Sequence, residues 1–179
     1  MKNATTPRIA VLGAGHVGPA VARLARRASH QVAIATSGDP GDLALITRLL
    51  IPGAEPRWAF DAIAGADIVV LAIPLHRFLA MDTSALSGKL VIDAMNYWPP
   101  VDGTMAEFEG EESSSEVVQR LLPGARIVRA LNHIGYDGAV FNGFTEAEHM
   151  GSRSWLVAGA DRHPPPPHGV TPPLLLANP

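Results

Sequence analysis

The chain of 179 residues contains no cysteine. That excludes a disulfide framework, thiolate metal sites and a cysteine nucleophile, and it fits a reducing compartment. Charge is also scarce: 17% of residues are ionisable Asp, Glu, Lys or Arg, the net charge is −3 and the pI is near 6.1. The basic footprint that nucleic acid demands is missing, so no nucleic-acid partner is expected. Long apolar runs are missing too. The longest, Ile68 to Leu75, is interrupted by Pro74 and falls short of the ~18 residues of a membrane span. Lys2 and Arg8 precede the apolar run Ile9 to Leu12, which is too short for the core of a signal peptide. No membrane is expected, and the expected location is the cytoplasm.

What is present is apolar material, 47% of the chain. That suffices for one domain at roughly 150 residues per domain. Short β-rich runs recur at Arg8–Leu12, Gln31–Ala35, Asp67–Ile73, Lys89–Ala94, Arg126–Leu131 and Ser154–Ala158, with a weaker one at Arg57–Ala59. Continuous apolar runs of this kind signal strands buried on both faces. Helical stretches separate them. Val17 to Ala28 places Val17, Ala20, Val21, Leu24, Ala25 and Ala28 on one side and Arg23, Arg26 and Arg27 on the other. Asp42 to Leu50 reads as a second helix, Asp61 to Ala64 as a helical turn, and Ser113 to Ser115 caps a helix running to Leu122, with Glu116 in its first turn. Alternating strands and helices predict an α/β fold, a Rossmann-type doubly wound and mainly parallel sheet. A long loop, Asn96 to Ser115, carries prolines and glutamates between two of the strands.

Composition changes after Ala160. Residues 161–179 hold seven of the sixteen prolines. The expected division is therefore a nucleotide-binding domain over 1–160 and a Pro-rich, disordered tail over 161–179. The strand Ser154–Ala158 would then lack its covering helix. A truncated or atypical C-terminal end, from a frameshift or a shortened gene, is the expectation that follows.

Gly13-Ala14-Gly15-His16-Val17-Gly18 has the spacing GxGxxG. Directly after an apolar strand and at the head of an apolar-faced helix, it is the context of a dinucleotide-binding turn. The helix amino terminus offers free N–H groups and a positive dipole end to phosphates. An NAD site usually has an acid at the end of the second strand, for the ribose 2′-OH. Here Ala35-Thr36-Ser37-Gly38 stands in that place, with no acid until Asp39. That favours NADP, the other reading of Thr36 and Ser37 being ordinary turn chemistry.

GAGHVG, the strand end LAIPL (Leu71 to Leu75), VIDAMNYWPP (Val91 to Pro100) and VRALNHIGY (Val128 to Tyr136) together resemble the coenzyme F420-dependent NADP oxidoreductase family, over about residues 8–159. The resemblance implies a Rossmann domain that passes a hydride between NADP(H) and a deazaflavin, coenzyme F420, or a flavin-like acceptor. It implies that Gly13, Gly15, His16, Val17 and Gly18 hold the pyrophosphate and that Thr36 and Ser37 face the 2′-phosphate. Ile73, Pro74 and Leu75 would flank the ribose and nicotinamide, and Asn96, Asn132, His133 and Ile134 would border the ring. The family often has Ser-Arg where this chain has Ser37-Gly38, and its members continue past the last strand differently from Asp161–Pro179.

Hydride transfer between flat rings needs proximity and orientation more than a nucleophile. His133, just past a strand end, is the candidate proton donor, its other reading being a hydrogen-bonded loop histidine. His76 reads as a surface residue at a helix start. Trp98 reads as packed on its own loop, or as a stacking platform. His163 and His168 are separated by prolines that forbid a helical metal face, and Glu107 to Glu112 lacks the spacing of a calcium loop. No metal is expected. The partner is expected to be a small-molecule hydride acceptor, with a homodimer possible. The non-enzymatic alternative is an NADP-binding remnant or sensor without an acceptor site. A hydroxyacid dehydrogenase would need a large helical second domain, for which no room remains.

Overall fold

The β-rich runs pair into one sheet in the order β3-β2-β1-β4-β5-β6-β7. A computed structural model describes residues 6–131 and the backbone of 158–159. The strands are β1 (Arg8–Leu12), β2 (Gln31–Ala35), β3 (Glu55–Pro56), β4 (Ile68–Leu71), β5 (Leu90–Asp93), β6 (Arg126–Arg129) and β7 (Ala158–Gly159). The first six are parallel, and β7 runs antiparallel beside β6. The order 3-2-1-4-5-6 is that of the Rossmann fold, so the expected fold class holds.

The helices are α1 (Val17–Arg27), α2 (Pro40–Leu50), α3 (Ala59–Ala64), α4 (Leu75–Leu79), α5 (Pro99–Asp102) and α6 (Ser114–Leu121). Each face of the sheet has its own core. On one side Val11, Val32, Ile34 and Val70 pack with Ala22 and Ala25 of α1. On the other, Ala10, Leu12, Val69, Leu71 and Val91 pack with Ile63, Leu75, Phe78, Val117 and Val118. Alternate residues of β1 and β4 therefore go to opposite cores, which is why those runs are apolar throughout.

Several elements depart from the sequence-based expectation. α1 buries Gly18, Pro19, Ala20, Ala22 and Ala25, and Val17 and Val21 pack half-buried against the core, so the expected face holds in the main; it departs at Leu24, half-buried, at Ala28, exposed, and at Ala22, buried outside it. Small side chains let the helix approach the sheet, and that closeness outweighs the larger residues' hydrophobicity. α2 starts at Pro40 because Asp39 caps it, its carboxylate accepting from the Gly41 N–H at 2.7 Å. β3 lies at Glu55–Pro56 rather than Arg57–Ala59, since Trp58 already leads into α3. α4, a single helical turn, contains the helix start read at His76 and begins one residue earlier, at Leu75. The Asn96–Ser115 segment is organised: Tyr97 stacks on Phe108, accepts from the Met105 N–H at 3.0 Å and donates to Glu109. α6 carries the predicted cap at Ser113, and Glu116 completes a capping box. Most of the expected strand Ser154–Ala158 and the whole tail 161–179 lie outside the described residues.

Register decides where the loops meet. Ala35 pairs with Leu12, Leu12 with Leu71, Leu71 with Asp93, and Asp93 with Arg129. The carboxyl ends of five strands thus form one row. Gly13, Thr36, Ala72, Ala94 and Ala130 follow that row directly. The ladder continues one step beyond it, with Gly13 N–H donating to Ala35 O at 2.8 Å and Ala72 N–H to Leu12 O at 2.9 Å.

Candidate functional site

Strand order reverses between β1 and β4, parallel neighbours whose connections leave toward opposite edges of the sheet. In open α/β folds that point is where a ligand crevice opens. The glycine loop sits there. Gly13 has φ +115°, and a Cβ on it would lie 2.2 Å from the Ala72 carbonyl oxygen. The turn therefore passes against the end of β4. At Gly18 a Cβ would lie 1.9 Å from the Gly13 carbonyl oxygen, so this glycine sets how tightly α1 packs under its own loop. Gly15 differs from both. It is exposed, and a Cβ there would meet nothing within 4 Å.

A dinucleotide pyrophosphate fits this loop on two counts. Space above Gly15 is open, and the first turn of α1 contains no acidic residue to oppose an anion. His16 occupies the N-cap position without a capping bond from its side chain, and Val17 is half-buried against the core. Basic Arg26 and Arg27 in the last turn complement the other end of the helix dipole.

At the end of β2, Thr36 Oγ1 accepts from the Gly38 N–H at 3.3 Å, and Ser37 is exposed. Thr36 thus does the turn chemistry that was its other reading. Asp39, the first acid after β2, is committed to capping α2. A second acid, Asp42, stands near: a Cβ on Gly38 would lie 4.0 Å from its Oδ2.

After β4, Ile73 reaches the glycine turn, its Cγ2 lying 3.1 Å from where a Gly13 Cβ would be. Pro74 is exposed. Leu75 is 0% exposed and belongs to the core. Of this trio, only Ile73 and Pro74 offer side-chain surface, and Leu75 anchors the loop from beneath.

Asn96, exposed beyond β5, accepts from Arg129 at 3.4 Å. Behind it lies a network that pattern reading missed. Arg129 also donates to the hydroxyls of Ser114 at 2.8 Å and Ser115 at 2.6 Å, and Ser115 donates to Asp93 at 2.6 Å. The other Asp93 oxygen accepts from the Met95 N–H at 3.0 Å. Burial pushes the Asp93 carboxyl above its ordinary range, against the opposing pull of Ser115, the Met95 N–H and Arg129. The available signal was an acid and an arginine closing two otherwise apolar strand runs. Asn132, His133 and Ile134 lie outside the described residues.

A second pair also went unforeseen. His76 Nδ1 lies 3.0 Å from Asp102 Oδ1, which also accepts from the His76 N–H at 3.3 Å. The other Asp102 oxygen accepts from the Trp98 N–H at 3.1 Å. The pair ties the loop after β4 to the loop after β5.

At the opposite edge of the sheet, a cavity of about 200 Å³ is lined by Arg8, Arg26, Arg57, Glu55 and Asp61 among others. Its arginines face partners within the chain: Arg8 faces Asp67 at 3.4 Å, Arg57 faces Glu55 at 2.6 Å, and Arg26 donates through Nη1 to the His30 carbonyl at 2.8 Å, its buried Nε being left without a partner among the described residues. It lies away from the strand carboxyl ends and takes no part in the crevice. Among the described residues, no cluster of His, Asp and Glu could hold a metal ion, and no helix is long and apolar enough to cross a membrane.

Comparison with known proteins agrees with this geometry. The family described as NADP oxidoreductase, coenzyme F420-dependent, matches residues 8–97. No curated protein matches significantly. Among solved structures, one from Arthrobacter sp. FB24, provisionally assigned as an F420-dependent NADP-reductase, is 24% identical with a TM-score of 0.64, covering 82% of each chain. A hypothetical protein from Sinorhizobium meliloti is 28% identical with a TM-score of 0.61, covering 78% of this chain and 67% of that one. The family match spans half of the chain and includes the glycine turn, the loops after β2 and β4, and the start of the segment after β5. The chain belongs to the coenzyme F420-dependent NADP oxidoreductase family, as an NAD(P)-binding Rossmann oxidoreductase domain.

Proposed function

We propose that the domain binds NADP(H) in preference to NAD(H) and exchanges a hydride with a deazaflavin, coenzyme F420 or a flavin-like relative. One observation carries the cofactor preference: Asp39, the acid nearest the end of β2 in sequence, is engaged at the head of α2 and leaves the turn at Thr36 and Ser37 to hydroxyls. Family membership supports the acceptor class.

The bound nicotinamide supplies the hydride and its two electrons. The chain supplies position. The glycine turn and the head of α1 hold the pyrophosphate at the switch point. Ser37 and the Thr36 turn receive the 2′-phosphate. Ile73 and Pro74 bound the crevice on the β4 side. Asn96, oriented by Arg129, would border the ring as the family resemblance implies. His133, Asn132 and Ile134 retain the roles the family resemblance implies for them.

The test is a fluorescence titration with NADPH and NADH beside the bleaching of deazaflavin absorbance by NADPH. Tighter binding of NADPH and a loss of absorbance are expected. Equal or reversed affinities would overturn the cofactor preference. Binding without bleaching would leave a nucleotide-binding sensor in place of the reductase.

A further inference from the structure

We propose that His76, held by Asp102, supplies the proton that accompanies hydride transfer to the acceptor, and that exposed Trp98 and Val101 form the platform on which the acceptor rests. This rests on the reductase reading above.

The geometry is that of an oriented acid–base pair. The Asp102 side chain is 2% exposed and that of His76 is 40% exposed. A carboxylate accepting at 3.0 Å requires the proton on Nδ1. Nε2 is then the ring's working nitrogen. Asp102 is itself fixed by the backbone N–H groups of His76 and Trp98, so a buried carboxylate with three donors orients a partly exposed imidazole. That is the base-plus-orienter logic of catalytic pairs. Among the described residues, Asp102 is the ionisable group bonded to the ring, and Arg77 is its charged neighbour on α4.

Position is the second argument. His76 begins three residues after Ile73, whose side chain abuts the glycine turn. Asp102 comes from α5, which carries Trp98 at its N-cap and Val101 within it. Trp98 is 56% and Val101 60% exposed. Large apolar side chains exposed beside a polar pair suit a flat ring with a titrating edge.

The step balances without a further reagent. Hydride arrives at the acceptor with both electrons, leaving an acceptor anion. With His76 in its imidazolium form, the Nε2 proton moves to that anion's ring nitrogen. His76 is left neutral with its remaining proton on Nδ1, hydrogen-bonded to Asp102, and a proton from solvent restores the imidazolium.

Nitrogen NMR of the histidine ring provides a readout apart from turnover. The neutral ring is expected as the Nδ1–H tautomer, and adding deazaflavin to the NADP-loaded chain is expected to move the Nε2 resonance. H76Q is expected to bind NADPH within twofold of the unmodified chain. It should reduce deazaflavin at least tenfold more slowly and lose the fall in rate seen at high pH. Imidazole should restore part of the rate of H76A. Asp102 is a positioning residue: D102N should shift the tautomer and lower kcat with little change in the KM for NADPH. An Nε2–H tautomer, a ring unmoved by the acceptor, or H76Q with unchanged rate and pH profile overturns the proposal. An unmodified chain that binds NADPH yet moves no hydride overturns the reductase reading, while the tautomer and its response to deazaflavin still decide the pair.

Discussion

Three glycines of one motif do separable work, and single substitutions tell them apart. Gly18→Ala would put a methyl 1.9 Å from a backbone oxygen. The helix must lift from its loop, and the overpacking should cost about 2–3 kcal/mol in a denaturation experiment. Gly15→Asp meets no neighbour, so stability should stay within about 0.5 kcal/mol. NADPH binding should nevertheless be lost in a fluorescence titration, because a carboxylate would occupy the pyrophosphate's place. Gly38 offers the reverse experiment. Around it stand Thr36 Oγ1 at 3.9 Å and Asp42 Oδ2 at 4.0 Å from a built Cβ, both ordinary contacts. Gly38→Arg should therefore be tolerated and should tighten NADPH binding, by about tenfold for one charge-assisted hydrogen bond of about 1.5 kcal/mol. NADH affinity should not follow, since it lacks the 2′-phosphate.

Among the elements, α4 shows how burial reassigns a residue. Leu75 follows a site loop, and the family resemblance implied that it flanks the ribose and nicotinamide. Leu75, Phe78 and Leu79 have i, i+3, i+4 spacing, the mark of a helical turn, and Leu75 and Phe78 are buried. A five-residue helix gives too little periodicity to stand out from a proline-containing loop. Leu75→Ala should cost about 2–5 kcal/mol, the range of large-to-small core changes, and should alter NADPH affinity only as far as folding is lost. Urea unfolding beside ligand titration separates the two effects. At α6 the cap was legible because its chemistry is local: Ser113 and Glu116 satisfy each other's backbone N–H groups at 3.3 and 2.6 Å. Ser113→Ala should lower stability by about 1 kcal/mol.

For the molecule as a whole, the carboxylates set opposing responses to acid. Asp67, bonded to the Arg8 backbone N–H and side chain, titrates below its ordinary range. So do Asp82, through the Ser84 N–H, and Glu116, through the Ser113 N–H. Groups of this kind contribute stability above their unfolded pKa, and it is lost as pH falls through their folded values. Asp93, raised by burial, has the opposite sign: its contribution is complete below the unfolded pKa and disappears as pH rises through the folded value. Melting temperature should therefore fall as pH drops below about 4, the ordinary carboxylate range. The stability of Asp93→Asn relative to the unmodified chain should be most favourable at neutral pH and decline toward pH 4. Asn keeps an acceptor for the Met95 N–H while removing the buried charge. Melting curves of both chains at matched pH values read the difference directly.

The strand–helix alternation, the glycine turn and the cap of α6 were legible in the order of residues alone. Each of these rests on interactions within a few residues: period, φ at a turn, one side chain on one N–H. That order also located the loops of the crevice, because strand ends are visible as ends of apolar runs. Tertiary structure alone decided the remainder. Register brought Ala35, Leu12, Leu71, Asp93 and Arg129 into one row. Packing added Ala22 to the buried face of α1, left Ala28 exposed and sent Leu75 inward. Chain reversal across 22 residues set Ser115 on Asp93, and across 26 set Asp102 on His76. Polar pairs at such separations leave no periodic trace, since neither partner needs the other until the fold has removed both from water.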